Sequence, residues 1–225
     1  MIIIIMAVFA VLAFFANMMI KPKGLRLTVT VVMFAGLVLS VVGIVANMHD
    51  HYGMTEEKKI VKKEIHSAGS SEQGFGLLLY QGVGTNGTEN VYIYKNTKDA
   101  TKNTVAKPDL HTTSDRAAIN GTKAYKVTTT TRYVYQSSGW KLLFGIVGNN
   151  NQLKHRHVVY QIPNTWVALT TEQAQSLQSK MAPKTDKEKM IAAEQQKQLA
   201  ALAQKDPNKA AMMQVQQIKK IYNIN

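Results

Sequence analysis

Apolar and polar positions follow three regimes along the chain. From Met1 to Met48 apolar residues run almost unbroken, interrupted only by Lys21-Pro22-Lys23-Gly24-Leu25-Arg26. From residue 49 to residue 182 the apolar runs shorten and alternate with polar residues. From residue 183 to residue 225 the chain turns to Ala, Gln, Lys and Met at helical spacing. At about 1.5 Å per residue, the runs 1–20 and 27–48 are each long enough to cross a hydrocarbon core of about 30 Å as a helix. Run one holds a single strongly polar residue, Asn17, and run two offers Thr28, Thr30, Ser40 and Asn47, so neither buries a charge. The pattern predicts a transmembrane hairpin over 1–48 with its hinge at 21–26. A signal peptide fits poorly: no Lys or Arg precedes run one, no small-x-small site closes it, and run two lacks a convincing cleavage site around Ala46.

Ala10, Ala13 and Asn17 share one helical face of run one, and Gly36, Ser40 and Gly43 share one of run two. Paired, these faces would let two backbones approach closely, although small residues are common in membrane helices in any case. Two spans without an internal charge make a poor pore or pump. The hinge cations Lys21, Lys23 and Arg26 favour a cytoplasmic loop, which places both termini outside the plasma membrane. Lys58, Lys59, Lys62 and Lys63 compete with them for the same side.

The middle region predicts a mainly antiparallel β domain over 49–182, a sandwich or a partly open barrel of about six to seven strands. Glu56 to His66 can form a strand with Val61 and Ile65 inward. Phe75 to Gln81 and Glu89 to Lys95 form two more around a Gly82–Thr88 turn, after a Ser/Gly loop at 67–74. Residues 96–121 carry few large apolar side chains and predict a long mobile loop. Period two is clearest from Lys123 to Tyr135, with Tyr125, Val127, Thr129, Thr131, Tyr133 and Tyr135 on one face and Lys126, Thr128, Thr130 and Arg132 on the other. Ser137-Ser138-Gly139 then reads as a turn into a Trp140–Val147 strand, hairpinned with Leu153–Ile162, and Trp166 to Leu169 adds a short strand. Thr170 and Gln173 have capping-box spacing for a helix with Ala174, Leu177 and Met181 on one face. Thr185 with Glu188, and Asp206-Pro207, open two further helices in the 183–225 tail. The last shows an Ala211, Val215, Ile218, Tyr222 stripe, so 207–222 can pair with a membrane protein partner or lie on the bilayer. The fold class is therefore α+β, a membrane hairpin followed by a β domain and C-terminal helices.

Charge adds a partner class. Beyond residue 48 lie 24 of the 27 Lys and Arg and all 14 acids, an excess of ten positive charges. Such a balance favours the lipid bilayer's anionic headgroups or an anionic envelope polymer, against the plainer reading of a solvated basic surface. Nucleic acid is not expected, because aromatic and basic residues alternate onto opposite faces of a strand. The chain has no cysteine, hence no disulfide, thiol nucleophile or cysteine metal site.

Chemistry-bearing signals are sparse. His155 and His157 would share a strand face and could reach one metal, but no further ligand spacing accompanies them. His49, Asp50 and His51 follow the second run, where a histidine could respond to pH or simply end the helix. Asn86-Gly87-Thr88 and Asn120-Gly121-Thr122 match the glycosylation sequon and read first as turns. No phosphate-cradling loop, nucleophile elbow, zinc-protease helix motif or carboxylate pair is present, so no cofactor and no catalytic residue is expected.

Residues 47–54 (Asn-Met-His-Asp-His-Tyr-Gly-Met), 78–81 (Leu-Leu-Tyr-Gln), 89–95 (Glu-Asn-Val-Tyr-Ile-Tyr-Lys) and 141–150 (Lys-Leu-Leu-Phe-Gly-Ile-Val-Gly-Asn-Asn) follow the two apolar runs in order. In this the chain resembles the family catalogued as domain of unknown function 4811, small membrane proteins of lactic-acid bacteria, over about residues 1 to 180. The resemblance implies a bacterial plasma membrane and carries over no catalytic or binding residue. The expectation is a structural or interaction protein at the cell envelope, with an accessory or sensor subunit of a membrane complex as the alternative and a metal-dependent enzyme behind both.

Overall fold

A computed structural model describes the chain except for residues 71–73, 84–88, 108, 184 and 225, and except for the side chains of Glu89 and Glu188. In order it forms α1 (Ile2–Met19), α2 (Lys23–His49), β1 (Met54–Ile65), β2 (Gly76–Val83), β3 (Glu89–Tyr94), β4 (Thr104–Val105), β5 (Thr112–Ile119), β6 (Ala124–Tyr135), α3 (Ser138–Phe144), β7 (Gln152–Pro163), β8 (Trp166–Thr170), α4 (Thr171–Met181), α5 (Asp186–Lys205) and α6 (Pro207–Tyr222); a 3-10 turn, Gly145–Val147, follows α3. Compactness separates Met1–Lys59 with Thr130–His155 from Ile60–Thr129 with Arg156–Asn225. These units cut across the expected segments 1–48, 49–182 and 183–225.

In the first unit α1 and α2 pack as a pair. Residues Ile2, Met6, Phe9, Ala13 and Ala16 are the covered positions of α1. Their spacing of four and three is the repeat that keeps one stripe facing a neighbouring helix. In α2 the matching stripe runs through Thr30, Met33, Leu37, Ser40, Ile44 and Asn47. A Cβ on Gly36 would stand 2.6 Å from the Phe9 ring, and one on Gly43 would stand 3.3 Å from Ile2 Cδ1. Large side chains of α1 thus sit where α2 has none. Ser40 donates to the Gly36 carbonyl at 2.8 Å, so its hydroxyl is satisfied inside the seam.

Two four-stranded sheets are ordered β1-β6-β7-β5 and β4-β3-β2-β8, the second of them wholly within the second unit. The β2–β3 pair is antiparallel with Leu79 opposite Ile93, as the sequence predicts; its turn at 84–88 lies outside the described residues. Ile65, Ala124, Val158 and Tyr160 from one sheet and Leu78, Tyr92, Tyr94, Trp166 and Ala168 from the other share one core. The opposite face of the β2–β8 pair carries Leu77, Val167 and Leu169, covered by Leu177 of α4 with Val215 and Ile218 of α6. Period two along β2 and β8 therefore supplies apolar side chains to both faces.

The helices that cover this face start where the capping signals place them. Thr170 Oγ1 accepts from the Gln173 amide while Gln173 Oε1 accepts from the Thr170 amide. Asp206 accepts from the Lys209 amide and Pro207 follows at the first helical position. Helix α5 begins at Asp186, but the Glu188 side chain of its expected cap lies outside the described residues. Tyr222 donates to the Gln173 carbonyl at 2.6 Å, tying α6 to α4.

Several expectations need correction. The sheets are rich in antiparallel pairs, as expected, but mixed: β2 runs parallel to β8 and β5 parallel to β7, and among the described residues no barrel closes. The stretch 96–121 holds β4 and β5 instead of a continuous loop. Strand β5 ends its sheet, where backbone pairing with β7 suffices and Thr, Ser and Ala serve as well as large apolar residues. Residues 140–147 form α3 and its 3-10 turn, not a strand, because Ser137 caps the helix by accepting from the Trp140 amide at 3.4 Å. Along the start of β6 the inward face is the one with Ala124 and Lys126, whose ammonium donates to Tyr94 Oη, whereas Tyr125 lies under Lys62 at 4.0 Å. In β1 only the two end residues, Met54 and Ile65, are buried; Val61 is exposed. The apolar stripe of α6, expected to be free for a partner, is occupied by the chain's own sheet.

That last point is directly testable. Ile218 has no exposed surface, so Ile218→Ala should cost about 2–5 kcal/mol of unfolding free energy. Chemical denaturation of the full chain in detergent micelles reads this; a change near zero would mean that α6 is not part of the packed unit.

Candidate functional site

The most connected polar site is in the first unit, at the end of α2. Asn47, the last of the seam positions, has no exposed surface, so a polar amide there is costly unless every group finds a partner. Its Nδ2 donates to the Tyr52 carbonyl at 2.7 Å, and Asn149 Nδ2 donates to both its carbonyl and its Oδ1, at 3.2 and 3.0 Å. Asn149 Oδ1 in turn lies 2.6 Å from the Tyr135 hydroxyl, which is also 3.0 Å from the Phe144 carbonyl and donates its one proton to either. Burial pushes the Tyr135 phenol pKa up, so the proton stays in place at neutral pH. The site therefore holds three elements together through neutral groups: α2, the end of β6 and the turn before β7.

The chain leaves α2 through a tight turn that this network clamps. His51 takes a left-handed φ of 56° and Gly53 one of 79°, where a Cβ would meet the Trp140 ring at 2.7 Å. Only glycine fits there. His51 stacks on Tyr133 with 3.7 Å between ring centres, and Gln136 Nε2 donates to the Met54 carbonyl. Lys154 of β7 donates to Glu56 of β1, an ion pair exposed to solvent on both sides. The hydrogen bond from Lys154 holds the Glu56 carboxyl below its usual range, and the same bond raises Lys154. The Glu56 share of stability is present above its unfolded pKa and is lost as pH falls through the lowered folded value. The Lys154 share is present below its unfolded pKa and is lost as pH rises through the raised one.

The residues singled out in the sequence divide unevenly over this frame. Gly36, Ser40, Gly43 and Ala13 lie in the seam, but Ala10 and Asn17 are exposed. The true stripe of α1 includes Ile2 and Phe9, which fill the α2 glycines, so its phase is set by large residues and not by the small ones at 10 and 17. Lys21 and Lys23 are exposed and Arg26 half-buried at the start of α2. His49 Nδ1 lies 2.7 Å from Asp50 Oδ1, a pair in open solvent. His155 and His157 fall in different units. His157 Nδ1 is 3.0 Å from Thr113 Oγ1 and its Nε2 is 3.7 Å from Asp115. Among the described residues no group of three His, Cys, Asp or Glu could hold a metal ion. Gly121 takes a φ of 135°, in keeping with an Asn-Gly turn at 120–122, while Asn86-Gly87-Thr88 lies outside the described residues.

Sequence reasoning missed Asn149 and Tyr135 as partners of Asn47, since 102 residues separate Asn47 from Asn149. The available signal was Asn47 itself, a strong polar group closing an apolar run. Replacement of Asn149 by Leu leaves the Asn47 carboxamide buried and largely unpaired, so Asn149→Leu should cost about 1–3 kcal/mol. Asn47→Leu with Asn149→Leu should recover part of that loss; a double-mutant cycle on thermal unfolding measures the coupling.

No curated protein and no solved structure matches the chain. The family model described as domain of unknown function (DUF4811) matches residues 22–177, which takes in α2, every strand and most of α4, and leaves α1, α5 and α6 outside. With well over half of its length matched, the chain belongs to the family of domain of unknown function 4811.

Proposed function

We propose that α1 and α2 cross a bacterial plasma membrane as a two-span anchor and present the strand-rich remainder on the extracytoplasmic side, where it serves as a structural or interaction protein of the envelope. The observation that carries this reading is the hairpin's inside-out distribution of residues. Small and polar groups such as Ala13, Ala16, Gly36 and Ser40 face the seam, while Phe14, Phe15, Phe34 and Leu39 face outward. The most apolar windows of the two helices have mean hydropathies of 2.7 and 2.6, and only 17% and 6% of their residues are buried by the protein. Length and hydropathy alone also fit a core helix, but a core helix is mostly covered. Full removal of each such side chain from water is worth about 1.5–3 kcal/mol, so this surface favours hydrocarbon over solvent.

Orientation follows from charges that the helix itself does not want. Lys23 and Arg26 sit in the first turn of α2, with no acid among them. Cations there oppose the helix macrodipole at about 0.3–1 kcal/mol each. Their service is to hold the hinge in the cytoplasm. On the other side the exposed lysines of β1, Lys58, Lys59, Lys62 and Lys63, contribute to the excess of ten positive charges beyond residue 48. Phosphate-bearing wall polymer and anionic headgroups are the partners such a surface attracts.

Reporters of compartment fused to each terminus should both read extracytoplasmic, and Lys21→Gln with Lys23→Gln and Arg26→Gln should produce a mixed population. A C-terminus inside the cell overturns the envelope reading. For the partner class, full-length protein in zwitterionic nanodiscs should bind anionic vesicles at low salt and release them as the Debye length shrinks from about 30 Å to about 8 Å. Binding no better than to neutral vesicles removes the electrostatic part of the proposal.

A further inference from the structure

Helix α3 is short, apolar and incompletely covered. Its inner side is accounted for: Phe144 is buried, with its ring 3.8 Å from where a Gly43 Cβ would stand, and Trp140 stacks on it at 5.7 Å between ring centres. The amine of Met1 donates to the Leu142 and Leu143 carbonyls at 2.8 Å, and Asn149, just beyond the 3-10 turn, reaches Asn47. Apart from the Trp140–Phe144 stack, each of these contacts is to Met1 at the start of α1 or to the last two turns of α2. The segment is thus lodged at the end of both apolar helices, at the level where their apolar runs stop.

Its outer side has no cover. Leu142 and Ile146, one helical turn apart, are 63% and 56% exposed, and Lys141 is exposed beside them. Tyr52 is 57% exposed and meets the Trp140 ring edge-on at 5.1 Å. Two large aliphatic side chains, a tryptophan, a tyrosine and a lysine form a small outward cluster. That composition suits one environment better than water or a protein core. Trp and Tyr favour the headgroup layer, where an apolar ring and a polar tip are both satisfied, and a Lys stem lies along apolar surface while its ammonium stays wet.

We propose that Ser138–Val147 is a membrane-interface segment, lying on the lipid surface beside the ends of α1 and α2. Leu142 and Ile146 enter the acyl boundary, Trp140 and Tyr52 occupy the headgroup layer, and Lys141 reaches lipid phosphates. The occupant of this apolar face is lipid because the face adjoins the exposed apolar ends of the two helices, so one continuous surface is removed from water. The inference rests on reading α1 and α2 as spans.

The chain's two tryptophans make the test direct, since Trp166 sits in the second unit's core. Full-length Trp166→Phe, reconstituted in vesicles whose acyl chains carry bromine near the headgroup end, should lose about half of its Trp140 emission, as expected for insertion of about 5–10 Å. Bromine near the chain terminus should quench it less, and Trp140→Phe, which reports Trp166, should be quenched by neither. Because Trp166→Phe disturbs a packed core, Leu142→Cys and Ile146→Cys in the cysteine-free chain provide a second reading. Nitroxides there should be more accessible to oxygen than to an aqueous nickel chelate. If the protein resists alkaline carbonate yet Trp140 is untouched by lipid bromine and open to iodide, the interface segment is overturned and the anchor stands. Trp140 shielded from both quenchers also overturns it, in favour of a protein or a second copy on this face. Extraction by carbonate overturns the anchor, and this inference with it.

Discussion

The pair formed by β2 and β8 is apolar on both faces, and this one constraint governs the second unit. Leu78, Trp166 and Ala168 face one way; Leu77, Val167 and Leu169 face the other. A sheet of that kind cannot leave either side in water, so it requires a second sheet on one face and helices on the other. The parallel register brings Gly76 opposite Trp166, whose ring stands 2.2 Å from where a Gly76 Cβ would be. A side chain at 76 would have to displace the indole. Parallel pairing also demands a long crossover, and the chain uses it to build β3 to β7 before returning as β8. Helices α4 and α6 are then obligatory covers rather than appendages.

Several buried polar groups fix the geometry of this protein. Asn47, Asn149 and Tyr135 are satisfied mainly by one another and by carbonyls, with no charged member. Lys126 donates to the hydroxyl of Tyr94 in the second unit. Tyr160, buried among Tyr92 and Tyr94, has its phenol pKa pushed far above the ordinary value by burial, which keeps it neutral. None of these groups pairs a nucleophile with a base. They define where elements start, stop and cross.

Location and surface are linked through the hairpin. Large side chains of α1 such as Phe9 fit over the glycines of α2, so that, in the proposed reading, the two helices associate where apolar attraction between helices is weak in lipid. In the proposed reading, the cations that weaken the start of α2 serve orientation, and the basic excess beyond residue 48 meets the anionic material of an envelope. The proposed interface role of the apolar cluster around Trp140 extends the same logic to the ends of the two helices.

Sequence by itself determined the elements whose signals are local. Two long apolar runs, the capping box at Thr170 and Gln173, Asp206-Pro207 and the β2–β3 hairpin depend on neighbours a few residues away, and periodicity reports such neighbours well. Tertiary structure alone decided the rest. Residues 140–147 are apolar enough for a buried strand, and a Ser137 cap with packing against Gly43 makes them a helix. Strand β5 carries little hydrophobic signal because β7 supplies its backbone partners. The phase of α1 was set by Phe9 filling the space over Gly36, not by its own small residues. Asn47 acquires its meaning only when Asn149, 102 residues later, arrives beside it. Apart from the Ser137 cap, the deciding partner in each case is distant in sequence, and a single chain read in order has no term for an energy that exists only once the two are brought together.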